Sequence, residues 1–95
     1  MTPVLDNQVI DNQAAGRYEL AVDGQIVFAT YRRDGGVLII RHVEAPPPLR
    51  VTGAAGRLMH GIMTAARAEN LKVRPLCSYA AAWLARHEKY RDLLA

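Results

Sequence analysis

The sequence is poor in cysteine, aromatic residues and long apolar runs. Its one cysteine, Cys77, rules out an internal disulfide framework and any cysteine-rich metal site, and we expect no bound metal. No apolar run is long enough to form a transmembrane helix, and the N-terminal residues do not have the pattern of a signal peptide. We therefore expect a cytoplasmic protein that does not enter a membrane.

The rest of the composition is that of an ordinary globular chain. Hydrophobic residues make up 51% and charged residues 22% of the sequence, which excludes a disordered chain. A length of 95 residues predicts one domain spanning residues 1–95. The net charge of +3 is compatible with an anionic ligand but does not require nucleic acid.

The first half of the chain has the alternation of β-strands. Apolar residues alternate in residues 18–22 and 26–31, and the Asp23-Gly24 dipeptide between them is typical of a tight hairpin turn. A second turn at residues 34–36 leads into an apolar strand over residues 37–43, which we expect to be buried on both faces. Val9 and Ile10 form a short edge strand in this interpretation. The pattern predicts an antiparallel meander.

A helix follows the meander. Pro46, Pro47 and Pro48 must end the sheet, because proline cannot donate a ladder hydrogen bond. Thr52 is the predicted N-cap, and Glu69-Asn70 closes the helix. The apolar positions recur with helical spacing and predict one buried stripe: Ala55, Leu58, Met59, Ile62, Met63 and Ala66. His60 lies away from that stripe and is predicted to be solvent-exposed.

The last part of the chain predicts one more strand and a helical tail. Residues 71–76 form the strand, and the helix before it implies that this strand is parallel to residues 37–43 through a right-handed crossover. Ser78 is the predicted cap of a helix that extends to His87, and Trp83 and Tyr90 pack against the sheet. The predicted fold class is α/β (α+β), a meander followed by a β-α-β unit and C-terminal helices.

Small residues occupy the start of the central helix. Gly53, Ala54, Ala55 and Gly56 leave backbone amides uncovered where the helix dipole favours an anion such as phosphate or pyrophosphate. The same residues satisfy the GXXG pattern of a KH nucleic-acid-binding domain. That loop should join two helices, whereas a triproline strand exit precedes it here, and neither middle residue is basic. We therefore expect no nucleic-acid partner.

Four segments resemble a known family. Residues 50–55, Arg-Val-Thr-Gly-Ala-Ala, are similar to the Arg/Gln-x-x-Gly-x-Gly/Ala pattern of the GCN5-related N-acetyltransferases (GNAT), and they lie between a strand and a long helix as in that family. Residues 41–46, 73–79 and 86–94 resemble its very short, single-domain subgroup. The resemblance covers about residues 9–94 and implies a minimal GNAT fold.

The resemblance also implies an acetyl-CoA site where strands 37–43 and 71–76 splay apart. Val43 and Glu44 would lie along the pantetheine arm, and Ser78 would also contact the cofactor. The pyrophosphate would be held by Arg50, Val51, Thr52, Gly53, Ala54, Ala55, Gly56 and Arg57. The short subgroup usually has glycine where this chain has Val51, and a β-branched residue restricts the loop. We still expect acetyl-CoA to bind.

The implied chemistry is transfer of an acetyl group from the thioester to an unidentified amine of a small molecule or a protein. In direct transfer, Glu44 or His42 deprotonates the amine, and Cys77, Ser78 or Tyr79 protonates the departing thiolate. In a relay, Cys77 attacks first and carries the acetyl group. Direct transfer is favoured, because nothing in the sequence marks Cys77 as an activated nucleophile.

Other interpretations of the same residues stay open. A lone cysteine at a strand end is often a small buried apolar residue, and His42 and Glu44, two apart in a strand, could form a solvated edge. A GNAT-like module that binds CoA without turnover is the main alternative function. Few residues precede the first clear strand, so the acceptor side is either open or completed by a partner, including a second copy of the chain as a homodimer.

Overall fold

The computed structural model describes residues 7–95. These residues form a five-stranded sheet with helices packed on it. The strands are β1 (Val9–Asn12), β2 (Arg17–Val22), β3 (Gln25–Asp34), β4 (Val37–Glu44) and β5 (Lys72–Pro75), and the helices are α1 (Ala54–Ala68) and α2 (Ser78–Ala85). Short 3-10 helices cover Gln13–Ala15, Pro47–Leu49 and Glu88–Leu93.

The sheet has the predicted topology. Its strands follow one another in the order β1-β2-β3-β4-β5, antiparallel through β4, with β5 parallel to β4. Asp23 and Gly24 both have positive φ, 51° and 77°, as a primed hairpin turn requires. The antiparallel meander, the β-α-β unit and the short edge strand at Val9 and Ile10 are therefore confirmed.

Helix α1 lies across one face of the sheet and buries the predicted stripe. Five of the six stripe residues are buried, and the exception, Ala55, is half-buried, while its neighbour Ala54 is buried instead. The stripe packs on sheet residues that include Val27, Leu38, Ile40 and Val73. Residues of α2 and of the last 3-10 helix belong to the same core cluster, so both helices and the last turn cover one face of the sheet.

Strand β4 contains a β-bulge at Arg41. Ile40 pairs with Tyr31, whereas His42 pairs with the preceding residue of β3, Thr30, so Arg41 is an extra residue. Because side chains alternate along a strand, the extra residue reverses which face the later side chains occupy. Ile40 and Val43 consequently both face the core.

Two predicted helix starts were off by one residue. Gly53, with φ 80°, is the N-cap of α1, although the Thr52 hydroxyl still accepts a hydrogen bond from the Ala54 amide at 3.3 Å. Cys77, with extended backbone, is the N-cap of α2, so Ser78 is its first residue and not its cap. Helix α2 ends at Ala85, before the predicted His87.

The helix-end prediction at Glu69-Asn70 is confirmed. Glu69 is the C-cap of α1 and Asn70 adopts the left-handed conformation with φ 57°. Within residues 7–95, no helix is long and apolar enough to cross a bilayer. In the same part of the chain, no three His, Cys, Asp or Glu side chains are grouped closely enough to hold a metal ion.

The close packing of β1 against α1 depends on Gly61. A Cβ at this position would lie 2.3 Å from Cγ2 and 2.6 Å from Cβ of Val9. Gly61→Ala should therefore lower the free energy of unfolding by about 1–3 kcal/mol, despite the gain of about 1 kcal/mol in helix propensity. Chemical denaturation measures the change.

Gly56→Ala is the matched control, since the added Cβ would meet its nearest neighbour, Trp83 Nε1, at an ordinary 3.4 Å. We expect this variant to stay within about 1 kcal/mol of the parent protein. A Gly61→Ala protein as stable as the Gly56→Ala protein would show that β1 does not press on α1 as described.

Candidate functional site

The parallel strands β4 and β5 part at one end of the sheet. Their register runs from Val37 opposite Lys72 to Ile40 opposite Pro75, and the last bond is donated by the Leu76 amide to the Ile40 carbonyl at 2.9 Å. Strand β4 continues to Glu44 and pairs over residues 41–44 with β3 alone among the described strands. The edge of residues 41–44 that β5 would otherwise cover is thus unpaired within the described chain. We call this opening the slot.

Helix α1 begins at the same end of the sheet. The left-handed backbone of Gly53 turns the chain into the helix, and the Thr52 hydroxyl holds the turn by donating to the Leu49 carbonyl at 2.8 Å. Among residues 7–95, no acceptor pairs with the amides of Gly53, Ala55 and Gly56. Three donors at the positive end of a helix form an anion cradle.

Three predicted cofactor residues have exposed side chains near this helix start. Arg50 turns back on its own loop and donates from Nε to the Ala45 carbonyl at 3.1 Å. Arg57 donates from Nη1 to Oδ1 of Asn7 at 2.8 Å, which directs it towards the end of β2. Val51 is 94% exposed and contributes no packing. Arg50 and Arg57 thus have protein partners in this state.

His42 and Glu44 form a pair on the sheet face that carries no helix. His42 pairs with Thr30 of β3 and Glu44 pairs with Phe28, two residues that point away from the core. His42 Nε2 lies 3.4 Å from Glu44 Oε1. Their side chains are 58% and 56% exposed. The prediction that they share a face is confirmed. Val43, between them, faces the core and is half-buried.

Cys77 lies across the slot from this pair. It directly follows the last bond between β5 and β4, and it packs, half-buried, against the core on the helical side. Ser78 and Tyr79, the first residues of α2, are exposed. Partial desolvation raises the pKa of the Tyr79 phenol above its ordinary value, and this hydroxyl is protonated at neutral pH. The predicted acids and the predicted bases therefore lie on opposite sides of the slot.

An aromatic cluster of Trp83, His60, His87 and Tyr90 stands beside the start of α1. Trp83 stacks on His87 with ring centroids 3.7 Å apart, and His60 meets the indole edge-on at 4.7 Å. His60 Nδ1 and the Tyr90 hydroxyl are 2.9 Å apart. The prediction that His60 is solvent-exposed was wrong, since it is half-buried here, and burial lowers its pKa.

The packing role predicted for Trp83 and Tyr90 is confirmed by exposures of 3% and 6%. The four-residue spacing of Trp83 and His87 on a helical segment was the signal that could have placed a histidine against the indole. No sequence pattern indicated that His60, from α1, would complete the cluster.

A separate cavity of about 400 Å³ lies at the other end of the sheet. Its lining residues are Gln13, Gly16, Tyr31, Arg32, Arg33 and Glu69. Arg33 is bonded there to Asp11 at 3.0 Å and to Glu69 at 3.1 Å, and Tyr31 also donates to Asp11. Because Arg33 is already paired with two carboxylates, this cavity has fewer free polar groups for a ligand than the slot has.

Comparisons with known proteins show the family from the sequence and the fold from a solved structure. The sequence pattern of the family described as GCN5-related N-acetyl-transferase matches residues 17–93. The NMR solution structure of a GCN5-like protein from Staphylococcus aureus superposes with a TM-score of 0.69 at 21% identity, covering 95% of this chain and 89% of that chain. At this identity the likeness is one of fold. No curated protein matches the sequence closely.

Val51 does not strain the loop. Its φ is not positive, and the left-handed conformation that the turn requires is supplied by Gly53. Val51→Gly should therefore leave the free energy of unfolding within about 1 kcal/mol and the affinity for CoA within about threefold. Denaturation and isothermal titration calorimetry measure the two quantities.

Gly53→Ala is the matched comparison. Apart from the two adjoining residues, no atom of residues 7–95 lies within 4 Å of the added Cβ, so its expected cost of about 1–2 kcal/mol is the left-handed backbone alone. A Val51→Gly protein that binds CoA tenfold more tightly would show that the β-branched residue does restrict the loop.

Proposed function

This chain belongs to the GCN5-related N-acetyltransferase family, and we propose that it binds acetyl-CoA in the slot and transfers the acetyl group to an amine. The observation that carries the proposal is the early end of the β4–β5 ladder beside the free amides of α1. It puts an unpaired strand edge and an anion cradle at the same end of the sheet. A ligand with an amide-containing arm and a diphosphate needs both features.

The residues present fit such a ligand. The amides of Gly53, Ala55 and Gly56 would hold the diphosphate, and Ala54 is turned into the core, which keeps bulk away from them. The free edge of residues 41–44 would pair with the amides of the pantetheine arm as an additional strand does. Arg50 and Arg57 are near enough in sequence to exchange their present neutral partners for phosphate oxygens.

The acceptor amine would approach from the open face of the sheet. Among the described residues no helix covers His42 and Glu44, so a protonated amine could reach either side chain without moving the protein. The amine must lose a proton before it can attack the thioester carbonyl, and Glu44 or the neutral His42 imidazole would accept that proton. Their 3.4 Å contact lets the proton be shared between them.

The departing CoA thiolate would be protonated from the helical side. The candidate donors are the Tyr79 phenol, which is protonated at neutral pH, and the Cys77 thiol or the Ser78 hydroxyl. Negative charge that develops on the sulfur or on the carbonyl oxygen would lie near the positive end of α2. Because base and acid occupy opposite sides of the slot, direct transfer needs no covalent enzyme intermediate.

A relay through Cys77 is the alternative chemical route. In it the Cys77 thiol loses its proton as its sulfur bonds to the acetyl carbon, and the CoA thiolate leaves and takes that proton. The amine then attacks the acetyl carbon and loses a proton, and the displaced Cys77 thiolate takes that proton. Both routes give the same acetylated amine and free CoA, and only the relay passes through an acetyl thioester on Cys77. The free thiol and the CoA substrate fit a reducing cytoplasm.

A CoA-binding module without turnover is the second candidate function. The feature that favours it is the same open face, because the acceptor side lacks a helical wall among residues 7–95. For turnover, that face would stay open or be completed by a partner, including a second copy of the chain. The acceptor stays unidentified, either a small amine or an amine of a protein.

Turnover of acetyl-CoA with a panel of primary amines tests the function. We expect CoA release, followed with a thiol reagent, that depends on the amine and falls at least tenfold in Glu44→Gln or in His42→Gln. Glu88→Gln is the matched control, a carboxylate of the last 3-10 helix, and should leave the rate unchanged. Tight CoA binding without amine-dependent release would contradict the enzyme and support the binding module.

Intact mass spectrometry after incubation with acetyl-CoA separates the two routes. Direct transfer predicts no acetyl adduct that hydroxylamine removes, in the parent protein or in Cys77→Ala. An adduct that is labile to hydroxylamine and absent from Cys77→Ala would establish the relay instead.

A further inference from the structure

The indole N–H of Trp83 is a hydrogen-bond donor without a protein partner. Trp83 is only 3% exposed, and the described residues provide no acceptor for its Nε1. The buried side-chain nitrogen and oxygen atoms of residues 7–95 all have partners, so Nε1 must lie where the indole edge reaches solvent. The indole body is thus buried while its N–H stays accessible to an acceptor from outside the described chain.

The unpartnered N–H lies against the first turn of α1. A Cβ built on Gly56 would lie 3.4 Å from Nε1, and no other neighbour comes within 4 Å of that position. The donor therefore stands beside the amides of Ala55 and Gly56, which have no acceptor either. The absence of a side chain at residue 56 keeps the path to the N–H open.

The aromatic cluster fixes the direction of this donor. His87 stacks flat on one face of the indole, with an interplanar angle of 13°, and donates from Nδ1 to the Trp83 carbonyl at 2.6 Å. His60 approaches edge-on at 80° and is itself held by Tyr90. Burial, with Lys89 and His87 nearby, lowers the pKa of His60 and favours its neutral form. An indole held from two sides is preorganised to donate.

We propose that Trp83 is a binding residue for a phosphate ester, donating its indole N–H to an anionic oxygen that also accepts from the amides of Ala55 and Gly56. The inference deepens the proposed acetyl-CoA site and rests on it for the identity of the phosphate ester, which would be the diphosphate of CoA. It adds a side-chain donor from α2 to a cradle otherwise built from backbone. The diphosphate would then connect α1 to α2.

NMR tests the proposal directly, because Trp83 is the single tryptophan of the sequence. In a ¹H–¹⁵N correlation spectrum, the indole resonance of Trp83 is the only one of its kind. Inorganic pyrophosphate and CoA should both move it downfield, whereas pantetheine, which lacks phosphate, should not. A resonance that stays in place while pyrophosphate or CoA binds would overturn the proposal.

Two variants test how much the indole N–H contributes to the affinity for phosphate. Trp83→Phe keeps an aromatic ring but removes the N–H, and Gly56→Ala keeps the N–H but places a methyl group 3.4 Å from it. Each should weaken the binding of pyrophosphate and of CoA about tenfold and leave that of pantetheine unchanged. Gly56→Ala guards against a Trp83→Phe protein that does not fold. If the affinity for pyrophosphate is unchanged, or if the affinity for pantetheine falls equally, then Trp83 packs in the core and does not bind phosphate.

The same titrations distinguish a failure of the Trp83 proposal from a failure of the proposed CoA site. If pyrophosphate moves the indole resonance but CoA does not bind, Trp83 binds phosphate and the proposed CoA site is wrong. CoA that binds without moving the resonance would retain the CoA site and reject the donor.

Discussion

The extra residue in β4, Arg41, is the constraint on which the candidate site depends. A bulge bends its strand and increases the local twist, and this one comes directly after Ile40, the last residue that β5 pairs with. Beyond it, β4 follows β3 and leaves β5, which opens the slot. The same residue reverses the pleat, so His42 and Glu44 face the open side of the sheet while Val43 faces the core.

The far wall of the slot depends on different contacts. Pro75 is the last residue of β5, and the neighbouring Leu76 makes the final bond to β4, after which Cys77 starts α2. Helix α2 then packs Trp83 against the first turn of α1, where Gly56 leaves room for the indole edge. The contact of Trp83 with Gly56 and His60 places the aromatic cluster beside the anion cradle.

Much of the fold could be predicted because the responsible signals are local. Asp23-Gly24 specifies a turn by its backbone preference, the prolines end a sheet, and the stripe around Ile62 repeats with the period of a helix. The bulge at Arg41 has no comparable signal, because it depends on how β3 and β4 align. The burial of His60 was also missed, since it depends on Trp83 and Tyr90 from a later segment. The N-cap of α1 moved by one residue because Gly53 adopts the left-handed turn.

The central claim is that the slot between β4 and β5 receives CoA, and a backbone amide titration by NMR tests it most directly. The account predicts that CoA perturbs two groups of amides most strongly, residues 41–44 of β4 and residues 53–57 at the start of α1. Amides around Arg33 and Glu69, at the other end of the sheet, should be unaffected. The largest changes at that other end, or none at residues 41–44, would contradict the account.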